Sequence, residues 1–139
     1  MRNMFKFCND LSCIKFIFNT EKVTDISSMF DDCHKLTSLD ITSFDTTNVL
    51  YASNVFQGCS SLTSLDLRKF TTKNMKDISN MFRDCSQLTS LDLSLFDTKN
   101  VENFSFLFDQ CKGLISLDLT AFDTSNGKNM YLCLVPVKI

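Results

Sequence analysis

The chain has 139 residues and a formal net charge of -2, with a sequence pI near 5.2. That length suits one domain with a real core, and the acidic balance speaks against nucleic-acid binding, which needs a basic face. The skewed usage of 14 Phe, no Trp, 3 Gly and 1 Pro points instead to one short phrase repeated.

Self-comparison gives a period of 26 residues. Cys33, Cys59, Cys85 and Cys111 recur at that spacing. So do Leu39, Leu65, Leu91 and Leu117, then Phe44, Phe70, Phe96 and Phe122, then Asn48, Asn74, Asn100 and Asn126. A worn, shorter first copy begins at Met4-Phe5, with Cys8, Leu11, Ile14 and Phe16. The copies run 4–28, 29–54, 55–80, 81–106 and 107–132, and residues 133–139 read as a diverged tail or the start of a sixth copy. A fixed period of this size implies stacked repeats, so residues 1–139 are expected to form a single solenoid domain.

Each copy is expected to hold a strand, a turn and a helical piece. In Leu62-Thr-Ser-Leu65-Asp-Leu67, alternation places Leu65 and Leu67 on one face and Ser64 and Asp66 on the other. The Phe-Asp-Thr-x-Asn stretch that follows is rich in residues that accept local backbone N–H bonds and so favour turns. Val23, Ile26, Met29, Phe30 and Cys33 are spaced by threes and fours, which predicts a short helix or helical turn. The fold class is therefore an α/β repeat: about five coils, with a parallel sheet on one side and short helices on the other.

The phrase C-x-x-L-T-S-L-D-L-x-x-F-D-T-x-N-V, followed by a Met-Phe pair, resembles the BspA-like leucine-rich repeats over residues 4 to about 134. The resemblance implies a leucine-rich-repeat solenoid and a non-enzymatic surface or secreted protein of adhesive function. Its implied ligands are proteins or glycans, a host surface among them. It carries over no catalytic residue.

The chemistry-bearing residues read mainly as structural. Five cysteines (Cys8, Cys33, Cys59, Cys85, Cys111) share one repeat position and are expected to be buried and reduced, whereas Cys13 stands where other copies have Ser and should be exposed. Asp40, Asp66, Asp92 and Asp118 form a carboxylate row. They could take a cation, but hydrogen bonding to flanking hydroxyls is the favoured reading. The Asn column is expected to form an internal ladder that bonds turn backbone groups. His34, the sole histidine, falls at a variable position. No nucleophile–base pair, phosphate loop or metal spacing is evident, so no catalytic, cofactor or metal residue is assigned. The sharpest copy-to-copy changes flank the strands, and Asp66, Arg68, Lys69, Asp92 and Leu95 are the candidate ligand-binding residues. No apolar run reaches the ~20 residues of a membrane helix, and the opening segment, interrupted by Lys6, Asn9 and Asp10, does not read as a secretory signal. The main reading is a binding scaffold. The alternative is a structural remnant of a longer surface repeat protein.

Overall fold

The computed structural model describes residues 1–133, so a sixth copy entered at Leu134 lies outside the described residues. Successive repeats lie on one another in register. Parallel bridges join Asp25 to Tyr51, Tyr51 to Asp77, Asp77 to Asn103 and Asn103 to Asn129. Each step is one period, so every side chain meets its own counterpart in the next repeat.

The strands are shorter than the sequence suggests. β1 (Cys13–Lys15) pairs in parallel with β2 (Ser38–Asp40), with Ile14 opposite Leu39. The equivalent segments around Leu65, Leu91 and Leu117 do not extend this sheet. Alternation nevertheless holds there: Leu65, Leu67, Leu91 and Leu93 are buried, while Ser64 and Ser90 are exposed. Thr63, Ser64, Thr89 and Ser90 are exposed, and across these segments Ile115 donates to the Thr89 carbonyl at 3.3 Å.

The expected helices are absent among the described residues. In their place the chain makes consecutive tight turns. Left-handed φ values recur every fourth residue, at Ser28 (56°) and Asp32 (59°), then Asn54 (58°) and Gly58 (68°), then Asn80 (55°) and Asp84 (58°). An α-helix cannot pass through such residues, and short polar residues and glycine tolerate them best. The amides then divide their work. Met29 and Cys33 donate within the repeat, to Ile26 and Phe30 (both 3.1 Å), whereas Ser28, Phe30 and Asp32 donate to Ser53, Val55 and Gln57 of the next repeat (2.8, 2.9 and 2.8 Å). A helix would keep these bonds to itself; the turned backbone spends alternate amides on its neighbour. Spacings of three and four are common to both solutions, which is why the sequence pattern suggests a helix. Gly58 is fitted to its place twice over, since a Cβ there would sit 2.3 Å from Asp32 Oδ1.

The inward corners of these turns build one core cluster. Phe5, Phe30, Phe56, Phe82 and Phe108 stack with ring centroids 5.6, 6.0, 5.7 and 5.6 Å apart. A second row, Phe70, Phe96 and Phe122, stacks at 6.3 and 6.2 Å. Phe44, Phe70 and Phe96 are buried, and Phe122 and Leu117 are half-buried. The threonine two residues after the turn phenylalanine in the first four repeats adds a polar column inside this core. Thr20, Thr46, Thr72 and Thr98 are buried and donate their hydroxyls to the carbonyls of Asp45, Thr71, Asp97 and Asp123 at 2.9 to 3.0 Å.

Candidate functional site

On the strand face the carboxylate row is locally satisfied. Asp40 accepts from the Thr42 hydroxyl (2.6 Å) and Asp92 from the Ser94 hydroxyl (2.6 Å). Asp118 accepts from the Thr120 hydroxyl (2.7 Å), and each of the three also accepts from the backbone N–H of its hydroxyl partner. Lys15 lies 3.4 Å from Asp40. These hydrogen bonds hold all three carboxyls below their ordinary pKa. Asp66 differs because its repeat has Arg68 where the others have Thr or Ser. The guanidinium grips it through two bonds, Nε to Oδ1 at 3.0 Å and Nη2 to Oδ2 at 2.7 Å, and lowers its pKa to about 2.

The five candidate residues thus do not stand alike. Asp66 and Arg68 are tied to each other and Asp92 to Ser94. Lys69 and Leu95, equivalent positions in adjacent repeats, are exposed, Leu95 by 62%. Their side chains are the uncommitted ones, a cation and an apolar group side by side in the repeat register.

The sulfur column is internal. Cys33, Cys59, Cys85 and Cys111 are buried, and their thiols donate to the carbonyls of Phe5, Phe30, Phe56 and Phe82 at 2.9 to 3.3 Å. Burial pushes Cys33 up to about 11 and Cys111 up to about 12, and raises Cys59 and Cys85 as well. Cys8 departs from the expectation: it is only half-buried, because it belongs to the first repeat and is covered from one side. Cys13 is exposed. His34 is exposed too. Among the described residues no cluster of three or more His, Cys, Asp or Glu side chains could hold a metal ion.

A second surface feature lies at the turns, and the sequence reading passed over it. The amides of Asn48, Asn74, Asn100 and Asn126 donate through Nδ2 to the carbonyls of Glu21, Thr47, Lys73 and Lys99, at 2.7 to 2.9 Å. This is the expected bonding to turn backbone, but the residues are exposed rather than internal. Beside the last three runs a groove of about 380 Å³, lined further by Leu50, Lys76, Glu102 and Lys128. The backbone of that second column is itself a ladder, with Lys76 donating to Leu50, Glu102 to Lys76 and Lys128 to Glu102, all at 2.8 Å. Only the variable identity of positions 50, 76, 102 and 128 could have marked the groove in the sequence, and variability alone does not separate a binding surface from drift.

These features define a repeat protein: copies of one short unit, joined by a backbone bond ladder around a Phe- and Leu-lined core. Residues 1–91 and 62–135 match the family described as "Mycoplasma protein of unknown function, DUF285", and the chain belongs to that family. No curated protein matches it. Solved structures similar to it include a leucine-rich repeat protein from Eubacterium ventriosum ATCC 27560, at 15% identity and a TM-score of 0.47. That match covers 91% of this chain and 32% of the other. A leucine-rich repeat protein from Bacteroides ovatus ATCC 8483 matches at 23% identity over 81% of this chain and 32% of that one, with a TM-score of 0.45. The T. pallidum leucine-rich repeat protein matches at 21% identity over 81% of this chain and 58% of that one, with a TM-score of 0.46. The chain thus spans about a third to just over half of these proteins' lengths.

Proposed function

We propose that the chain is a non-enzymatic binding scaffold of the leucine-rich-repeat solenoid type, its repeats 4–28 to 107–132 forming one domain, which works at the cell surface or in the secreted space. Of the two ligand classes implied by the BspA-like resemblance, protein and glycan, the strand face suits a protein. The observation that carries the reading is the pairing of Lys69 with the exposed Leu95 on adjacent repeats. A cation beside an apolar side chain complements a carboxylate beside an apolar side chain, a combination common on protein surfaces and foreign to neutral sugars. Asp66, Arg68 and Asp92 frame the pair. Because Arg68 is held by Asp66, it contributes shape and orientation, and Lys69 supplies the free charge. A bonded repeat scaffold keeps these groups in place before binding, which lowers the ordering cost. No helix among the described residues is long and apolar enough to cross a membrane.

The test is surface plasmon resonance of the folded chain against a panel of host extracellular proteins, followed by the double variant Arg68→Glu, Lys69→Glu. Binding should weaken at least tenfold in the variant, and wild-type affinity should fall as salt rises, since exposed charges are screened over ~10 Å at 0.1 M. Binding that keeps its affinity and salt dependence after the reversal refutes the strand-face assignment. So does a panel with no binder.

A further inference from the structure

The groove at the turns has a composition that selects a ligand class. We propose that it is a binding site for a linear polysaccharide carrying carboxylates, its hydroxyls held by the Asn74, Asn100 and Asn126 amides and a uronate carboxylate held by Lys76. The site shares no residue with the strand face and does not depend on the function proposed for it.

The chemistry follows from which groups are already used. An asparagine amide has two donor hydrogens and an acceptor oxygen. In each of the three residues the nitrogen is fixed on a backbone carbonyl, at 2.8, 2.9 and 2.7 Å. A carbonyl can only accept, so the assignment of nitrogen and oxygen is forced. Among the described residues no protein donor bonds the three Oδ1 atoms. The groove therefore offers a file of acceptors, one per repeat, of the kind that hydroxyl donors satisfy. Its charges are also unequal in availability. Lys128 and Glu102 pair at 2.7 Å, and this bond to Lys128 chiefly holds the Glu102 carboxyl below its ordinary pKa. Lys76 lines the same groove, is exposed and forms no ion pair within 4 Å among the described residues; its charge acts on Glu102 only as a weaker influence behind that of Lys128. One free cation beside several acceptors fits neither a neutral polymer nor a bare polyanion.

Spacing supports the same class. The acceptors recur once per repeat, and the repeats are joined by the parallel backbone ladder of Leu50, Lys76, Glu102 and Lys128, whose rungs stand ~4.8 Å apart. A linear chain of pyranose units repeats at a similar length, so successive sugars can meet successive asparagines. An extended peptide has a shorter residue rise, ~3.3 Å, and carries few hydroxyl donors.

The experiment is isothermal titration of the whole chain with three probes: hyaluronan, which has hydroxyls and carboxylates; dextran, which has hydroxyls and no carboxylate; and poly-glutamate, which has carboxylates and backbone amides and no hydroxyl. Hyaluronan should bind at least tenfold more tightly than either of the others. Lys76→Ala should weaken it at least tenfold, while Lys22→Ala, outside the groove, leaves it unchanged. Circular dichroism should show both variants folded, as expected for exposed lysines. Equal binding of dextran or poly-glutamate, full hyaluronan affinity in Lys76→Ala, or no hyaluronan binding at millimolar sugar would each overturn the proposal. Loss of hyaluronan binding in Arg68→Glu, Lys69→Glu with none in Lys76→Ala would move the site to the strand face and overturn it too.

Discussion

Truncation of the central ring of the Phe stack, Phe56→Ala, probes the element that most directly joins repeat to repeat. Phe56 is fully buried, with rings at 6.0 Å (Phe30), 5.7 Å (Phe82) and 6.0 Å (Phe70). Burying a large apolar side chain and leaving a cavity in its place costs about 3–5 kcal/mol for Phe→Ala in well-packed cores. Contact with three rings argues for the upper part of that range, since each aromatic pair adds about 0.5–1.5 kcal/mol beyond area burial. Phe5→Ala is the control. Phe5 is half-buried and belongs to the first repeat, so its loss should cost about half as much or less, on the same scale. Against a total stability of about 5–15 kcal/mol for a domain, the central variant should shift the urea midpoint at least about twice as far as the terminal one. Fluorescence from Tyr51 and Tyr131 and far-ultraviolet circular dichroism should be followed together, because repeat arrays can lose cooperativity. A cost below about 1 kcal/mol for Phe56→Ala, against the ~3–5 expected, would refute a tightly packed ring column. So would equal costs at Phe56 and Phe5.

Native alkylation followed by mass spectrometry should label Cys13 quickly and Cys33, Cys59, Cys85 and Cys111 only as the protein unfolds, because buried thiols are inaccessible and their raised pKa keeps them protonated. Recovery of bridges between successive column cysteines from native protein would contradict this. The Asp66 carboxyl titrates near 2 in the folded chain against an ordinary value of 3.8, chiefly through its bond to Arg68. Its contribution is therefore full above pH 3.8 and is lost as pH falls toward 2. The difference in thermal midpoint between wild type and Asp66→Asn should accordingly shrink across that window, and a difference that stays constant from pH 5 to pH 2 would mean that the ion pair adds nothing.

What the sequence made legible was period and facing. The spacing of Leu39, Leu65, Leu91 and Leu117 marked an inward column, which is buried through Leu91 and half-buried at Leu117; the Phe-Asp-Thr-x-Asn stretch marked a turn, and Cys13 in a serine position marked an exposed thiol, and both stand so in the fold. Secondary structure was less legible, for a physical reason. Spacings of three and four specify which side chains share a face, not which amides pair. Asn54, Asn80 and Asp84 could be read as weak helix residues or as turn residues, and only the left-handed φ at each, bonded across to the next repeat, decides between them. The candidate residues Arg68 and Asp66 illustrate a related limit. Two residues apart, they read as separate charges on an extended chain, yet the turn after Leu67 lets the guanidinium fold back onto the carboxylate.

The turn side and the strand side consequently play opposite parts. Bonds between repeats are most continuous along the turns, where alternate amides of each repeat reach the next and side-chain amides of asparagine add a further link. Along the strands, pairing stops after β2, and exposed Thr63, Ser64, Thr89 and Ser90 border the backbone. Stability therefore constrains residues at the turns through their backbone-directed groups, such as the Asn Nδ2 and the Thr72 hydroxyl, while groups aimed outward are free to vary. Leu50, Lys76, Glu102 and Lys128 are such a column, and so are Lys69, Leu95 and Ala121, whose counterpart Ser43 instead donates its hydroxyl to the Phe16 carbonyl. Both columns change from copy to copy, while the inward Phe44, Phe70, Phe96 and Phe122 and the backbone-bonding Asn48, Asn74, Asn100 and Asn126 recur unchanged. A repeat array separates scaffold from recognition in this way: its backbone-bonding residues are copied with the period, and its outward columns can acquire different chemistry on two faces without disturbing the stack.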